Sequence, residues 1–359
     1  MDVGRWTLDV GRFLSLKTGN LALIEIIRAE IQQRGPISFA WFMEQALYHP
    51  EHGYYSSGRA SIGRKGDYFT NVSVGPLFGQ LLAAQFTEMW ERLGHIDNFT
   101  MVEQGAHSGE FARDVLSALH AKSPEFFSTL RYLIVEPFPV LQDRQAQALK
   151  EFGDRVHWRR SLDELEPFVG VHFSNELLDA MPTDLRGKRV ALVNDHFVLV
   201  DCPDAEAVTN RAVVEWIGHL ALKLERGFVL AVDYGFVHSD FREVLQVRAQ
   251  HRILDSPFEQ IGEADITAHI NWTDIAVRAE TNGFDLFGFT DQHHFLTGII
   301  SEFPALIEGE ETKRALQTLL HPEMLGRAFQ VMALSKNVDL AAPLAGFKYA
   351  RDPRLMLDP

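Results

Sequence analysis

Glu103, Gly105 and Gly109 stand together in the run Phe99-Thr100-Met101-Val102-Glu103-Gln104-Gly105-Ala106-His107-Ser108-Gly109. An apolar stretch leads into an acid, then two glycines, then the helical pattern Glu110 to Leu119. That order reads as strand, tight turn, helix. Glycines let a ligand approach the backbone closely, and the helix start adds free N–H groups. A second apolar run, Tyr132-Leu133-Ile134-Val135, ends in Glu136. An acid at the tip of the second strand can accept both hydroxyls of a ribose. The pairing points to a nucleoside-bearing cofactor.

The glycine spacing narrows the choice. Hydride-transferring dinucleotide folds cradle a pyrophosphate with three glycines in G-x-G-x-x-G. Here the spacing is Gly105-x-x-x-Gly109, and His107 holds the middle position. S-adenosylmethionine carries no phosphate and needs only one or two close approaches, so it is the expected cofactor; a nicotinamide oxidoreductase is disfavoured. The third strand ends near Arg160-Ser161-Leu162-Asp163. Backbone N–H groups of Ser161 and Leu162, or the Asp163 side chain, are placed to read an adenine edge there, and Asp163 serves equally as a helix cap.

The fourth strand runs into Ser174-Asn175-Glu176-Leu177-Leu178-Asp179-Ala180-Met181-Pro182. Methyl transfer from a sulfonium is an in-line displacement that needs alignment, exclusion of water and a destination for one proton. Asn175, Glu176 and Asp179 supply an amide and two carboxylates, which suit an amine or guanidinium acceptor. The two acids would also serve as caps of the next segment. The fifth strand ends in Val232-Asp233-Tyr234-Gly235, where Tyr234 either shapes the pocket or packs in the core. No metal site is expected: His293 and His294 lie near Asp291 without a third ligand at a helical spacing.

These residues need a scaffold. Strands are expected at 99–104, 131–136, 155–159, 170–174 and 227–233, with helices at 109–121, 138–151 and 211–225. That alternation argues for an α/β fold with a parallel sheet covered on both faces. Upstream, helices are expected over Leu21–Gln33, after a Ser38 cap, and over Leu77–Leu93. Arg189–Val193 and Phe197–Val200 read as a hairpin around Asn194-Asp195. Residues 236–270 read as an irregular excursion. Asn271 caps a helix ending at Gly283, and strands at 284–289 and 329–334 close the fold, joined by a long helical stretch. The expected organisation is a tail (1–18), a helical N-terminal subdomain (19–97), a catalytic domain (98–338) with insertions at 183–210 and 236–270, and a C-terminal tail (339–359).

Composition sets outer bounds. With 46% hydrophobic residues in 359, the chain can bury a large core. Its 49 acids against 34 bases give a net charge of −15, which repels nucleic acid and attracts a basic partner. Cys202 stands alone, so no intrachain disulfide forms, which suits a reducing compartment. No apolar run approaches a membrane span, and the early acids Asp2 and Asp9 fit neither a signal peptide nor a mitochondrial presequence. A bacterial-type cytoplasmic protein is expected, with no membrane partner.

Several blocks, in order, resemble the MidA-type methyltransferases. They are Gly66-Asp67-Tyr68-Phe69-Thr70 with Pro76-Leu77-Phe78-Gly79, the Ser174–Pro182 run, Val232-Asp233-Tyr234-Gly235, Ala264-Asp265-Ile266-Thr267-Ala268-His269 and Gln292-His293-His294-Phe295-Leu296. The resemblance covers about residues 20–338. It implies a Rossmann-like, seven-stranded class I methyltransferase sheet with an N-terminal helical extension and insertions. It also implies methylation of a protein arginine, linked to assembly of respiratory complex I. By motif position, Gly105, Gly109 and Glu136 would hold S-adenosylmethionine, joined by Tyr68, Thr70, Glu103, Ser161, Leu162 and Asn175. Asp67, Asn175 and Glu176 would face the substrate, with Asp179 beside them. The chain departs from the pattern at His107, where the family carries glycine. It departs again at Val72-Ser73, in place of Pro-Glu, and at Gln80, in place of Glu. Losing two acids leaves room for a small-molecule O- or N-acceptor, and for a cofactor-binding assembly factor without turnover.

Overall fold

A computed structural model describes residues 19–60, 63, 70–202, 210–237 and 245–357. Asp67 and Tyr68, named above as site residues, lie outside the described residues, as does the tail 1–18. The central sheet is built from β1 (Phe99–Gln104), β2 (Leu130–Val135), β3 (Val156–Arg159) and β4 (Phe168–Asn175). A hairpin of β5 (Lys188–Val193) and β6 (His196–Asp201) then interrupts it before β7 (Leu224–Asp233). An excursion then carries, beside shorter strands, β8 (Leu245–Ala249) and β9 (Asp265–Ala268). The sheet is completed by β10 (Asp285–Asp291) and β11 (Gln330–Lys336).

Across the seven-stranded sheet the order is β10-β11-β7-β4-β1-β2-β3. From β1 the chain steps outward through β2 and β3, then crosses back to lay β4 on the other side of β1. The order therefore reverses between β1 and β4, and a crevice opens beyond their carboxyl ends, the place where such sheets bind ligands. Every strand runs parallel except β11, which is antiparallel to both β7 and β10. This corrects the all-parallel expectation. The long helical link between β10 and β11 returns the chain with the reversed direction.

Period-2 alternation sorts the strand residues between two faces. Phe99, Met101, Val171, Phe173, Phe228 and Leu230 face α3 (Leu77–Arg92), α4 (Glu110–Lys122) and Gln292–Glu302. Val102, Leu133, Val229 and Ala231 face Arg211–Lys223 and Trp272–Thr281. Beneath the glycine turn, Phe173 stacks on Phe111 at 4.4 Å and meets Phe86 edge-on at 5.6 Å. Each such fully buried ring contributes about 1.5–3 kcal/mol, so the floor of the crevice is stiff.

Close approach between strands also fixes the sheet. Gly170 has φ +150°, and a Cβ there would run into the Thr100 carbonyl oxygen of β1. Gly170→Ala is expected to cost about 3 kcal/mol or more, as overpacking plus backbone strain. Urea unfolding monitored by circular dichroism checks it; an unchanged midpoint would contradict the packing described.

A separate lobe covers one side of the crevice. Its core joins α1 (Leu21–Arg34), α2 (Phe39–Tyr48), the β5–β6 hairpin and β8–β9 through Leu23, Ile27, Phe42, Val190, Val247 and Ile266. Ser38 caps α2 by accepting the Trp41 N–H, and Asn194 and Asp195 turn the hairpin with φ of 49° and 63°, as a two-residue turn requires. Ile37 and Val190 exchange both backbone hydrogen bonds, tying α2 to the hairpin. The excursion expected to be irregular contains a three-stranded sheet of Arg252–Ile253, β8 and β9. α3, by contrast, packs on the sheet rather than in the lobe.

Candidate active site

The crevice holds a cleft of about 530 Å³ at the ends of β1, β2 and β4, closed on one side by the lobe. Its first wall is the turn after β1, where Gly105, His107 and Gly109 have φ of 88°, 44° and 80°. Gly105 and His107 line the cleft; Gly109 lies behind them, packed against Gln145. An L residue resists positive φ, and at His107 the carbonyl accepts the Gln145 amide at 2.9 Å, which holds the turn. The ring is directed at the Ala60 backbone of the lobe, with its buried Nε2 unpartnered among the described residues. Burial lowers the His107 pKa, so the ring is neutral.

Glu136 forms the second wall. One carboxylate oxygen accepts the Phe138 N–H at 3.1 Å and the other the Gln145 amide at 3.1 Å. Gln145, fully buried on the helix Pro139–Ala148, in turn accepts the Trp158 indole N–H at 2.9 Å. Burial pushes Glu136 up to about 7. Glu103, at the cleft floor, accepts the Tyr132 hydroxyl at 2.7 Å and is likewise pushed by burial to about 7.

The third wall is the segment after β4. Glu176 has φ 53° and donates its N–H to the Val232 carbonyl, which turns the chain sharply into the cleft. Asn71 donates its amide to Asn175 Oδ1 at 3.0 Å, and Asn175 donates to Glu176 Oε1 at 2.9 Å. Burial raises Glu176 to about 8, Asn175 opposes, and nearby Asp233 and Asp265 add to the rise. Asp233 braces this segment by accepting the N–H groups of Leu177 at 3.1 Å, Leu178 at 2.8 Å and Tyr234 at 2.8 Å. It too is raised by burial, to about 7.

The structure brings together Thr70, Glu103, Gly105, Glu136, Asn175 and Glu176 as cleft-lining residues. Ser161 and Leu162 do not line it. Leu162 is buried in the core on the opposite sheet face and Ser161 faces solvent, because the short 3-10 turn Leu162–Glu164 spends its apolar residue on packing. Asp163 is exposed, 3.5 Å from His219. Asp179 is buried behind the loop; its carbonyl accepts the Ala268 N–H, and its carboxyl, raised by burial and by Asp233, does not line the cleft. Ser73 lines the cleft with its hydroxyl 2.9 Å from that of Thr70, whereas Gln80 does not line it. His294 leans on the helix cap Asp291 and His293 on the Leu320 carbonyl.

Sequence reasoning missed Gln145, Asp265, Tyr48 and Tyr55. Gln145 carried no signal, since a lone glutamine in a polar helix gives no hint of burial. Asp265 lies in the Ala264–His269 run, but only the fold shows that it accepts the Tyr55 hydroxyl at 2.7 Å near Glu176.

A pH dependence follows from this cluster. Glu103, Glu136, Glu176 and Asp233 keep their protons up to about 7–8 when folded, whereas an unfolded chain has released them. Above about pH 6.5 an unfolded histidine is also mostly neutral, so the lowered pKa of buried His172 no longer contributes. The native state then binds more protons than the unfolded one, and stability falls as pH rises. Calorimetric melting of the cofactor-free protein is expected to move downward from pH 6.5 to 8.5; an upward shift would contradict the buried acids.

The family described as "Putative S-adenosyl-L-methionine-dependent methyltransferase" matches residues 81–207 and 190–290. A Burkholderia thailandensis protein, whose crystal structure holds S-adenosyl-homocysteine, is 30% identical, with a TM-score of 0.82 over 94% of this chain and 98% of that one. The Drosophila melanogaster protein named "Protein arginine methyltransferase NDUFAF7 homolog, mitochondrial" is 26% identical over 92% of this chain and 90% of its own length. The human protein arginine methyltransferase NDUFAF7 is 23% identical over 90% and 85%. The cleft residues fit S-adenosylmethionine. Glu136 offers a buried carboxylate fixed by two donors, and Gly105 keeps side-chain atoms out of the adjoining turn. The chain belongs to the MidA-type family of S-adenosylmethionine-dependent methyltransferases and is an enzyme of that class.

Proposed function

We propose that the enzyme methylates an arginine side chain of a protein. The observation that carries this reading is the accumulation of buried acid at one end of the cleft. Glu176 lines it, and Asp179, Asp233 and Asp265 lie behind, each at most 5% exposed. Arg248 also acts on this edge, at Tyr234 and His269. A cationic ligand favours the ionised form of such acids, and a guanidinium meets a carboxylate with a planar fork of N–H donors. The named activity of the relatives points the same way.

In this reading Glu136, Gly105, His107 and Thr70 hold the cofactor, with Gly109 shaping the turn. Bound S-adenosylmethionine supplies an electrophilic methyl group. Asn175 fixes the Glu176 carboxylate, and Glu176 orients the guanidinium and takes the proton released from the attacking nitrogen. The aromatic floor and the lobe keep water out. A protein acceptor in a reducing, cytoplasmic setting goes with this reading, which the net charge of −15 and the single Cys202 support.

Ser73 favours a second reading. It lines the cleft as a hydroxyl bonded to Thr70, so that wall lacks the acid expected there and suits a neutral small acceptor. Methyl-labelled cofactor separates the two when the enzyme is incubated with an extract of its source cells. Label recovered as methylarginine after acid hydrolysis of the protein fraction supports the first reading. Label confined to small molecules, or no transfer, overturns it.

A further inference from the structure

The lobe presents a face to the cleft that the proposed chemistry does not use. In α2 the residues Phe39, Phe42, Met43, Ala46 and Leu47 are spent on the lobe core. Glu44 and Tyr48, one helical turn apart, lie off that stripe and both line the cleft. Glu44 is exposed and makes no hydrogen bond or ion pair among the described residues.

Tyr48 is held in place. Its hydroxyl donates to the Ala180 carbonyl at 3.0 Å, in the loop that carries Glu176. Its ring lies 5.7 Å from Tyr55 at 21° and 6.3 Å from Phe138 at 6°. Those separations belong to offset rings, so the three form an aromatic strip along a cleft that all of them line. With both tyrosine hydroxyls committed, to Ala180 and Asp265, the strip offers ring surface rather than hydroxyl groups. Tyr48 stands one turn from the exposed Glu44 and bonds the loop that carries Glu176, and ring surface lining a cleft with two such acids matches a side chain with an apolar stem and a flat cationic head.

We propose that Glu44 and Tyr48 select the acceptor: an arginine side chain enters along the Tyr48 strip, drawn by Glu44, before its guanidinium reaches Glu176. This inference rests on the arginine reading above and assigns its specificity to the lobe rather than to the sheet.

The test uses the full chain loaded with S-adenosylhomocysteine, and the peptide acetyl-Gly-Arg-Gly-amide with its lysine counterpart as probes in calorimetry. The wild type is expected to bind the arginine peptide more tightly. Glu44→Gln weakens that binding about threefold, the size of an exposed charge contact. Tyr48→Leu weakens it about tenfold, while Tyr48→Phe, which keeps the ring and loses only the bond to Ala180, stays within about twofold. Affinity for S-adenosylhomocysteine reports that each variant is folded; should Tyr48→Leu fail that check, Glu44→Gln and Tyr48→Phe decide. Unchanged arginine binding in Glu44→Gln and Tyr48→Leu overturns the inference and leaves the arginine reading standing. A loss in Tyr48→Phe as large as in Tyr48→Leu also overturns it, since the hydroxyl clamp would then be the cause. A wild type that binds neither peptide, or both alike, overturns the arginine reading and the inference together.

Discussion

Replacing Glu136 with alanine is expected to weaken S-adenosylhomocysteine binding by about 2 kcal/mol, roughly thirtyfold in Kd. Two losses add. The cofactor would lose a hydrogen-bonding side chain, and the Phe138 N–H and the Gln145 amide, now fixed on the carboxyl at 3.1 Å each, lose their partner in a buried place. Gln145 also holds the His107 carbonyl, so the loss spreads from the second strand to the glycine turn. Glu136→Gln keeps the shape and an acceptor oxygen and should lose less than the alanine variant. Titration calorimetry measures both; alanine binding as tightly as wild type would place the cofactor elsewhere.

Glu176→Gln is expected to reduce kcat about a hundredfold, the lower range for removing a positioned general base. Cofactor affinity should stay within about twofold, because Glu176 belongs to the acceptor side. The pH profile gives a sharper sign. Burial raises Glu176 to about 8, so below that pH the carboxyl carries a proton and cannot take another. Turnover should therefore rise with pH through about 8 in the wild type, and this step should vanish in the glutamine variant. Full turnover in Glu176→Gln would remove the residue from the mechanism.

Much of this scaffold can be read from local pattern. The edges of β1 and the two ends of the β5–β6 hairpin follow from apolar runs and turn residues, and Ser38 and Asn271 cap the helices they precede. The turn and its acid follow from the same logic, because a strand tip and a helix start are local features. His107 shows the limit of that reading. A side chain in place of glycine looks like an obstruction, yet the structure keeps its positive φ with the carbonyl bonded to Gln145, a residue remote in sequence.

What stayed hidden depends on long-range packing. The lobe gathers α1 and α2 with two insertions that follow them by more than a hundred residues, and no periodicity within any of them announces the others. In the second insertion only β8 alternates over five residues; its partners are two and four residues long and give too little pattern to announce a sheet. Position at the end of the third strand argues for Ser161 and Leu162 at the cleft, but Leu162 is apolar and goes to the core. Asp179 looked like an active carboxylate because it stands near Glu176 in sequence. The loop folds it inward instead, where its charge acts on its neighbours from behind.

The central claim is that one cleft, bounded by the turn at 105–109, the tip of β2 and the loop after β4, seats both the cofactor and the acceptor. Crystals grown with S-adenosylhomocysteine test it most directly. The account predicts the ribose on the Glu136 carboxylate and the sulfur turned toward Asn175 and Glu176. A product molecule bound outside this cleft, or crystals in which the His107 ring fills its place, would contradict it.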